Sequence, residues 1–184
     1  MNTKKIKLIA LFGPAGVGKD LLQEIMVKNH GVHGVIHHTS RPIRDNEEEG
    51  VAYHFVEATE FIEMMCADQF IEHAMFNNWY YGTSIDSLAE DKVNIGAFSI
   101  SGIEQLLADG RVEVHPVYIC VPDKLRLLRQ LNREINPNCY EICRRFLSDD
   151  ADFKNINFEY DLLMNVGSIF KVEEALVELL TEIS

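Results

Sequence analysis

The chain is short of positive charge. Seventeen lysines and arginines stand against 29 aspartates and glutamates in 184 residues, a formal net charge of −12. That deficit excludes a sequence-independent grip on nucleic acid, which needs a basic face to neutralise phosphates. No apolar run approaches the roughly 18 residues of a membrane span. The basic first residues lead straight into a strand-like segment without a cleavage-like site, so neither a signal peptide nor a membrane partner is expected, and a cytoplasmic location is. The four cysteines, Cys66, Cys120, Cys139 and Cys143, contain no Cys-x2-Cys pair and no Cys/His pairing at ligand spacing. Reduced thiols are therefore expected, not a zinc site. His30, His33, His37 and His38 alternate faces and read as packing or substrate contacts. Internal repeats, linkers and low-complexity tracts are missing as well. With 47% hydrophobic residues, what is left is one compact α/β domain, monomer or homodimer.

What is present begins with Gly13-Pro14-Ala15-Gly16-Val17-Gly18-Lys19-Asp20. It follows the apolar run from Ile6 to Phe12 and precedes a helix-like run from Leu21 to Lys28. Strand, glycine-rich turn and helix in that order is the context of a phosphate-binding loop. Glycines let successive backbone N–H groups close on phosphate oxygens, the helix N-terminus adds positive potential, and Lys19 reaches the β- and γ-phosphates. The pattern asks for Ser or Thr after the lysine, and here stands Asp20.

The remaining pattern predicts a parallel sheet with covering helices, the P-loop NTPase architecture. One strand is expected within Val32–Ser40 and others over Val93–Ile100, Val112–Val121 and Tyr160–Val166, with helices over Ser84–Glu90, Gly102–Ala108, Tyr140–Ala151 and Val172–Ile183. Gly31 reads as a helix C-cap and Thr59 as a helix N-cap. Residues 41–83 read as a small, mostly antiparallel insertion, with strands Phe70–Phe76 and Trp79–Tyr81 joined at Asn77-Asn78. Residues 127–145 read as a helical lid, and residues 1–40, 84–126 and 146–184 as the core. Seven of the eight arginines fall in two segments, Arg41 with Arg44 and then Arg126 to Arg145, as local anion sites would require. Arg126, Arg129 and Arg133 are spaced along one helix face. The expected strand 93–99 carries no carboxylate to orient a metal, and no Asn-Lys-x-Asp run marks a GTPase. A small kinase with an inserted acceptor region fits best.

The ordered set His38-Thr39-Ser40-Arg41-Pro42-x-Arg44, Glu47, Gly50, Tyr53-His54-Phe55, Phe70-Ile71-Glu72 and Tyr80-Tyr81-Gly82-Thr83 resembles the acceptor region of the guanylate kinase family. The likeness runs over nearly the whole chain. It implies transfer of the γ-phosphoryl group of ATP to GMP or dGMP with Mg²⁺. By the same resemblance, Arg41, Arg44, Tyr53 and Tyr81 hold the acceptor phosphate, Glu72 and Thr83 hold the base, and Asn165 lies on the adenine side. Arg129, Arg133 and Arg145 resemble the lid and core arginines that close on the transferring group. The residue chemistry agrees, since guanidinium forks bind phosphate bidentately and a carboxylate accepts two parallel N–H bonds.

Three positions depart from the family pattern. Asp20 replaces the metal-binding hydroxyl, as in some phage deoxynucleoside monophosphate kinases, and is a hard ligand suited to Mg²⁺. His37 stands where a base-contacting serine is usual, and Ala97 and Ser99 replace two acidic residues. An altered or relaxed base preference is one alternative that follows. A catalytically silent module that binds phosphorylated peptides is the other.

Overall fold

The structure, a computed structural model, describes residues 5–44, 47–133 and 135–183. Its centre is strand β1 (Ile6–Phe12), an apolar run whose alternate side chains serve two cores. Ile9 and Leu11 pack with Leu22, Met26, Ile119 and Leu176 on one face. Leu8, Ala10 and Phe12 pack with Ile103 and Leu106 on the other. A strand buried on both faces is what an all-parallel sheet requires, and each fully buried large aliphatic contributes about 1.5–3 kcal/mol.

In chain order, α1 (Lys19–His30) follows the glycine loop, then come β2 (His33–Gly34) and β3 (His38–Thr39). β4 (His54–Phe55), α2 (Ala58–Cys66), β5 (Phe70–Phe76) and β6 (Trp79–Ser84) follow. The chain continues through β7 (Asn94–Ala97), α3 (Ile100–Asp109), β8 (Val112–Cys120), α4 (Asp123–Leu131), α5 (Cys139–Asp152), β9 (Asp161–Met164) and α6 (Ile169–Ile183). The main sheet has the order β2-β7-β1-β8-β9 and is parallel throughout. Helices cover both faces, as the α/β pattern predicts. A second sheet, β4-β3-β6-β5, is antiparallel except between β3 and β4.

Gly31 caps α1 at φ 69°, and Asn77 and Asn78 take φ 51° and 64° in the hairpin between β5 and β6. Two consecutive left-handed residues make the primed turn whose twist suits paired strands. Other expectations are corrected. Residues 32–40 do not form one strand, because β2 joins the main sheet and β3 the second. The second sheet therefore starts at His38. Residues 84–90 hold only a single 3₁₀ turn, Ile85–Ser87. Asn94, fully buried, explains the rest of that segment: its side chain bonds the backbone of Lys7, Ala89 and Lys92, tying an irregular loop to β1. Glu57, not Thr59, is the N-cap of α2, and Ile100 opens α3 instead of ending a strand.

The α4–α5 hairpin is sparsely buried. α5 contains no buried residue among its 14. Of the arginines expected along one face of α4, Arg126 is turned inward at 3% exposure, and Arg133 lies beyond the helix end. Among the described residues no helix is long and apolar enough to cross a membrane, and all four cysteines are free thiols.

Candidate active site

The glycine loop joins the C-terminal end of β1 to the start of α1, at the edge of the parallel sheet where α/β proteins bind ligands. Lys19 Nζ donates to the carbonyls of Gly13 at 2.6 Å and Pro14 at 3.3 Å, folding back over its own loop. Burial lowers its ammonium pKa, against the raising influence of Asp20 and Asp149. Gly18, at φ 94°, lies so close to Asn165 that a Cβ there would meet Nδ2 at 2.8 Å. Asn165 is buried after β9 and its Nδ2 donates to the Val17 carbonyl at 2.7 Å. Arg129 donates to the carbonyls of Val17 (3.4 Å) and Asn165 (3.1 Å). The structure thus brings Lys19, Arg129 and Asn165 together around residues 13–20.

Sequence reasoning missed Asp149. Its Oδ2 accepts from the Ala15 backbone N–H at 2.9 Å and from Arg126 Nη1 at 3.0 Å. Burial raises its pKa despite these partners. Arg126 also lies 3.9 Å from the Phe146 ring centre, and its Nε has no partner. A carboxylate from α5 and a buried guanidinium from α4 therefore clamp the hairpin to the phosphate loop. A buried ion pair leaves no trace in local sequence, because its members are 23 residues apart.

On the second sheet, Arg41 is buried beside Tyr53 and Phe55, its guanidinium 5.5 and 5.6 Å from their ring centres. It forms a bidentate pair with Glu47, at 2.9 and 2.8 Å. Tyr53 and Tyr81 have ring centres 6.1 Å apart. Burial raises the Tyr53 pKa. Arg44 is solvent-exposed beside the same Glu47. These four residues share one corner.

Further along β5 and β6, Thr83 Oγ1 donates to Glu72 Oε1 at 2.5 Å and lies 2.7 Å from His37 Nδ1. Burial holds the Glu72 carboxyl up at about 7, and burial pushes the His37 imidazole down to about 4. Both are effects of desolvating a charge. Gly102, in the first turn of α3, is why Glu72 fits here: a Cβ would stand 3.0 Å from Glu72 Oε2. Ser99 caps α3, its Oγ accepting from the Gly102 N–H at 3.0 Å.

A cleft of about 840 Å³ runs from Gly13, Ala15 and Lys19 past Tyr53 to Ser99 and Asp149. A cavity of about 390 Å³, lined by His37, Tyr53, Glu72, Tyr81 and Ser99, opens from the same wall. Arg133 and Arg145 are not part of it. They flank a separate hollow with Glu141, which pairs with Arg145 at 2.7 Å. The Asp20 carboxylate, exposed in the first turn of α1, engages no described residue in a hydrogen bond or ion pair. It is the free hard oxygen donor beside Lys19, and one carboxylate supplemented by substrate phosphates is a usual Mg²⁺ donor set. Among the described residues no group of three or more potential ligands stands ready without substrate.

A family model described as guanylate kinase matches residues 5–183. The chain is 34% identical to the guanylate kinase of Schizosaccharomyces pombe over 126 residues, 65% of this chain and 62% of that protein. It is 30% identical to the Sus scrofa guanylate kinase over 184 residues, covering 95% of this chain and 91% of the relative. The crystal structure of guanylate kinase from Anaplasma phagocytophilum has the same fold, with a TM-score of 0.69 at 19% identity over 99% of this chain and 87% of that one.

Proposed function

The chain belongs to the guanylate kinase family, and from that premise we propose that it transfers the γ-phosphoryl group of ATP to GMP or dGMP in the cytoplasm. The observation that carries this reading is the shared wall. The phosphate loop and the base-binding cavity open on one cleft, so donor and acceptor phosphates meet between Lys19 and Tyr53. Positioning and charge stabilisation supply most of the catalysis of phosphoryl transfer.

The backbone N–H groups of residues 13–20 and Lys19 hold the donor phosphates. Arg41, released from Glu47, joins Arg44, Tyr53 and Tyr81 on the acceptor phosphate. Glu72 accepts from guanine N1–H and its exocyclic amine, with Thr83 and His37 alongside. Asp20 would hold Mg²⁺, which would supply charge neutralisation to the phosphates. Residues 127–145 serve as a lid, and its closure carries Arg133 and Arg145 toward Arg129 and excludes water. Asn165 lies on the adenine side, where it also steadies the loop.

The test is ADP release measured across the common ribo- and deoxynucleoside monophosphates. Turnover with GMP or dGMP is expected, and no turnover with any acceptor overturns the reading. One observation favours a second, a relaxed base preference. Ser99 Oγ caps α3, and Ala97 has no polar side-chain atom, so positions 97 and 99 add no second carboxylate to that of Glu72. Equal kcat/KM for a non-guanine acceptor would establish it.

A further inference from the structure

His37, Thr83 and Glu72 form one chain of hydrogen bonds, 2.7 Å between His37 Nδ1 and Thr83 Oγ1 and 2.5 Å between Thr83 Oγ1 and Glu72 Oε1. A hydroxyl has one proton to give, so the chain has a direction. When Glu72 is ionised, Thr83 donates to it and the neutral imidazole donates from Nδ1 to Thr83. His37 Nε2 is then bare. It is buried and has no protein partner. When Glu72 is protonated the direction reverses. Glu72 donates to Thr83, Thr83 donates to Nδ1, and the ring proton sits on Nε2, which is buried without a protein partner. The two tautomers of one buried histidine thus match the two charge states of one buried glutamate.

We propose that His37 is a positioning residue for base selection: through Thr83 it decides whether Glu72 meets the base as a carboxylate or as a carboxylic acid. This rests on the proposed acceptor site. A carboxylate accepts two parallel N–H bonds from guanine, whereas the reversed chain commits the Glu72 proton to Thr83 and removes the charge that strengthens both bonds. Guanine binding therefore weakens as pH falls. Few other groups face Glu72. Tyr53 and Tyr81 line its cavity, and α3 offers only Ser99, Ser101 and Gly102. His38 and Asp20 act on His37, and Glu104 lines the adjoining cleft.

The test is the KM for GMP between pH 5.5 and 8.5, with kcat followed separately, in the wild type and in His37→Ser, Thr83→Val and the double variant. In the wild type KM is expected to rise as pH falls below about 7, approaching tenfold per unit. The acceptor's own phosphate titrates near pH 6 in every variant and cancels in the comparison. His37→Ser removes the end of the chain that faces Thr83 and is expected to move the midpoint by about one unit. In the Thr83→Val background the same substitution is expected to leave the midpoint where it is. An unchanged midpoint in His37→Ser overturns the inference, as does an equal shift in both backgrounds. Absence of GMP binding at every pH would instead overturn the acceptor site itself.

Discussion

The two halves of the cleft are built from different material. The half at the glycine loop is mostly backbone. Its N–H groups are fixed by a loop between the central strand and its helix, and side chains such as Asn165 and Arg129 hold that loop from beneath. The half at the second sheet is mostly side chain, with Glu72 and Thr83 on strands β5 and β6 and His37 and Tyr53 on the segments just before β3 and β4. Backbone donors cannot titrate, so in the first half pH acts only through side chains beside the loop, such as Lys19, whose ammonium pKa burial lowers. Side-chain donors can be tuned by burial, and Glu72 and His37 are displaced in opposite directions.

The sharpest way to break the half at the glycine loop is Lys19→Ala, which leaves the phosphates without their point charge. We expect kcat to fall by on the order of 10³ while GMP affinity, measured by calorimetry, is retained. On the acceptor side, Glu72→Gln presents an amide N–H to a guanine amine. A loss of about 10² to 10³ in kcat/KM for GMP is expected, with the KM for ATP unchanged.

A stability measurement sharpens the comparison next. Glu72 is raised from 4.5 to about 7. The folded state therefore keeps a proton that the unfolded chain gives up, and the associated stability is lost as pH rises from 4.5 to 7. His37 is lowered from 6.5 to about 4. Its neutral form is favoured by folding, so that stability is lost as pH falls from 6.5 to 4. Across pH 4.5–6.5 the two slopes oppose one another in the wild type. Glu72→Gln removes one of them. Its stability relative to the wild type, by denaturant titration, is expected to improve from pH 5 to pH 8 by roughly 3 kcal/mol.

Smaller effects are expected closer to the backbone. Gly102→Ala places a methyl group 3.0 Å from Glu72 Oε2. A rise of about tenfold in the KM for GMP, equivalent to about 1.4 kcal/mol, with kcat little changed, would show that α3 sets the position of Glu72. Asp20→Ser restores the usual hydroxyl and is expected to keep activity within about threefold, less than 1 kcal/mol. Abolished turnover in a folded Asp20→Ser variant would make the carboxylate an indispensable metal ligand.

Much of this was legible in the residues. The run from Ile6 to Asp20 announces strand, loop and helix because its apolar block and its glycines act locally. The Asn77-Asn78 turn is equally local. What was hidden depends on partners far apart in sequence. The split of residues 32–40 between two sheets follows from β3 pairing with β6, more than forty positions away. The same holds for Arg126 with Asp149, and for Gly102 against Glu72. Residue pattern reports which groups are chemically able to act. It does not report which of them are already occupied, as Arg41 is by Glu47 and Ser99 by its own helix.

One feature of α5 bears on how the molecule breathes. A helix of 14 residues with none buried has little apolar contact to resist local opening, so its amides are expected to exchange with solvent long before those of β1, which yield only on global unfolding. The anchors of α5 include Asp149, through the Ala15 amide and Arg126, Phe146 against that same guanidinium, and Phe153 at its C-cap against Phe12 and Tyr118. Exchange protection along α5 is therefore a gauge of the phosphate loop. The helix reports on the state of Ala15 from outside the core, without sharing the core's stability.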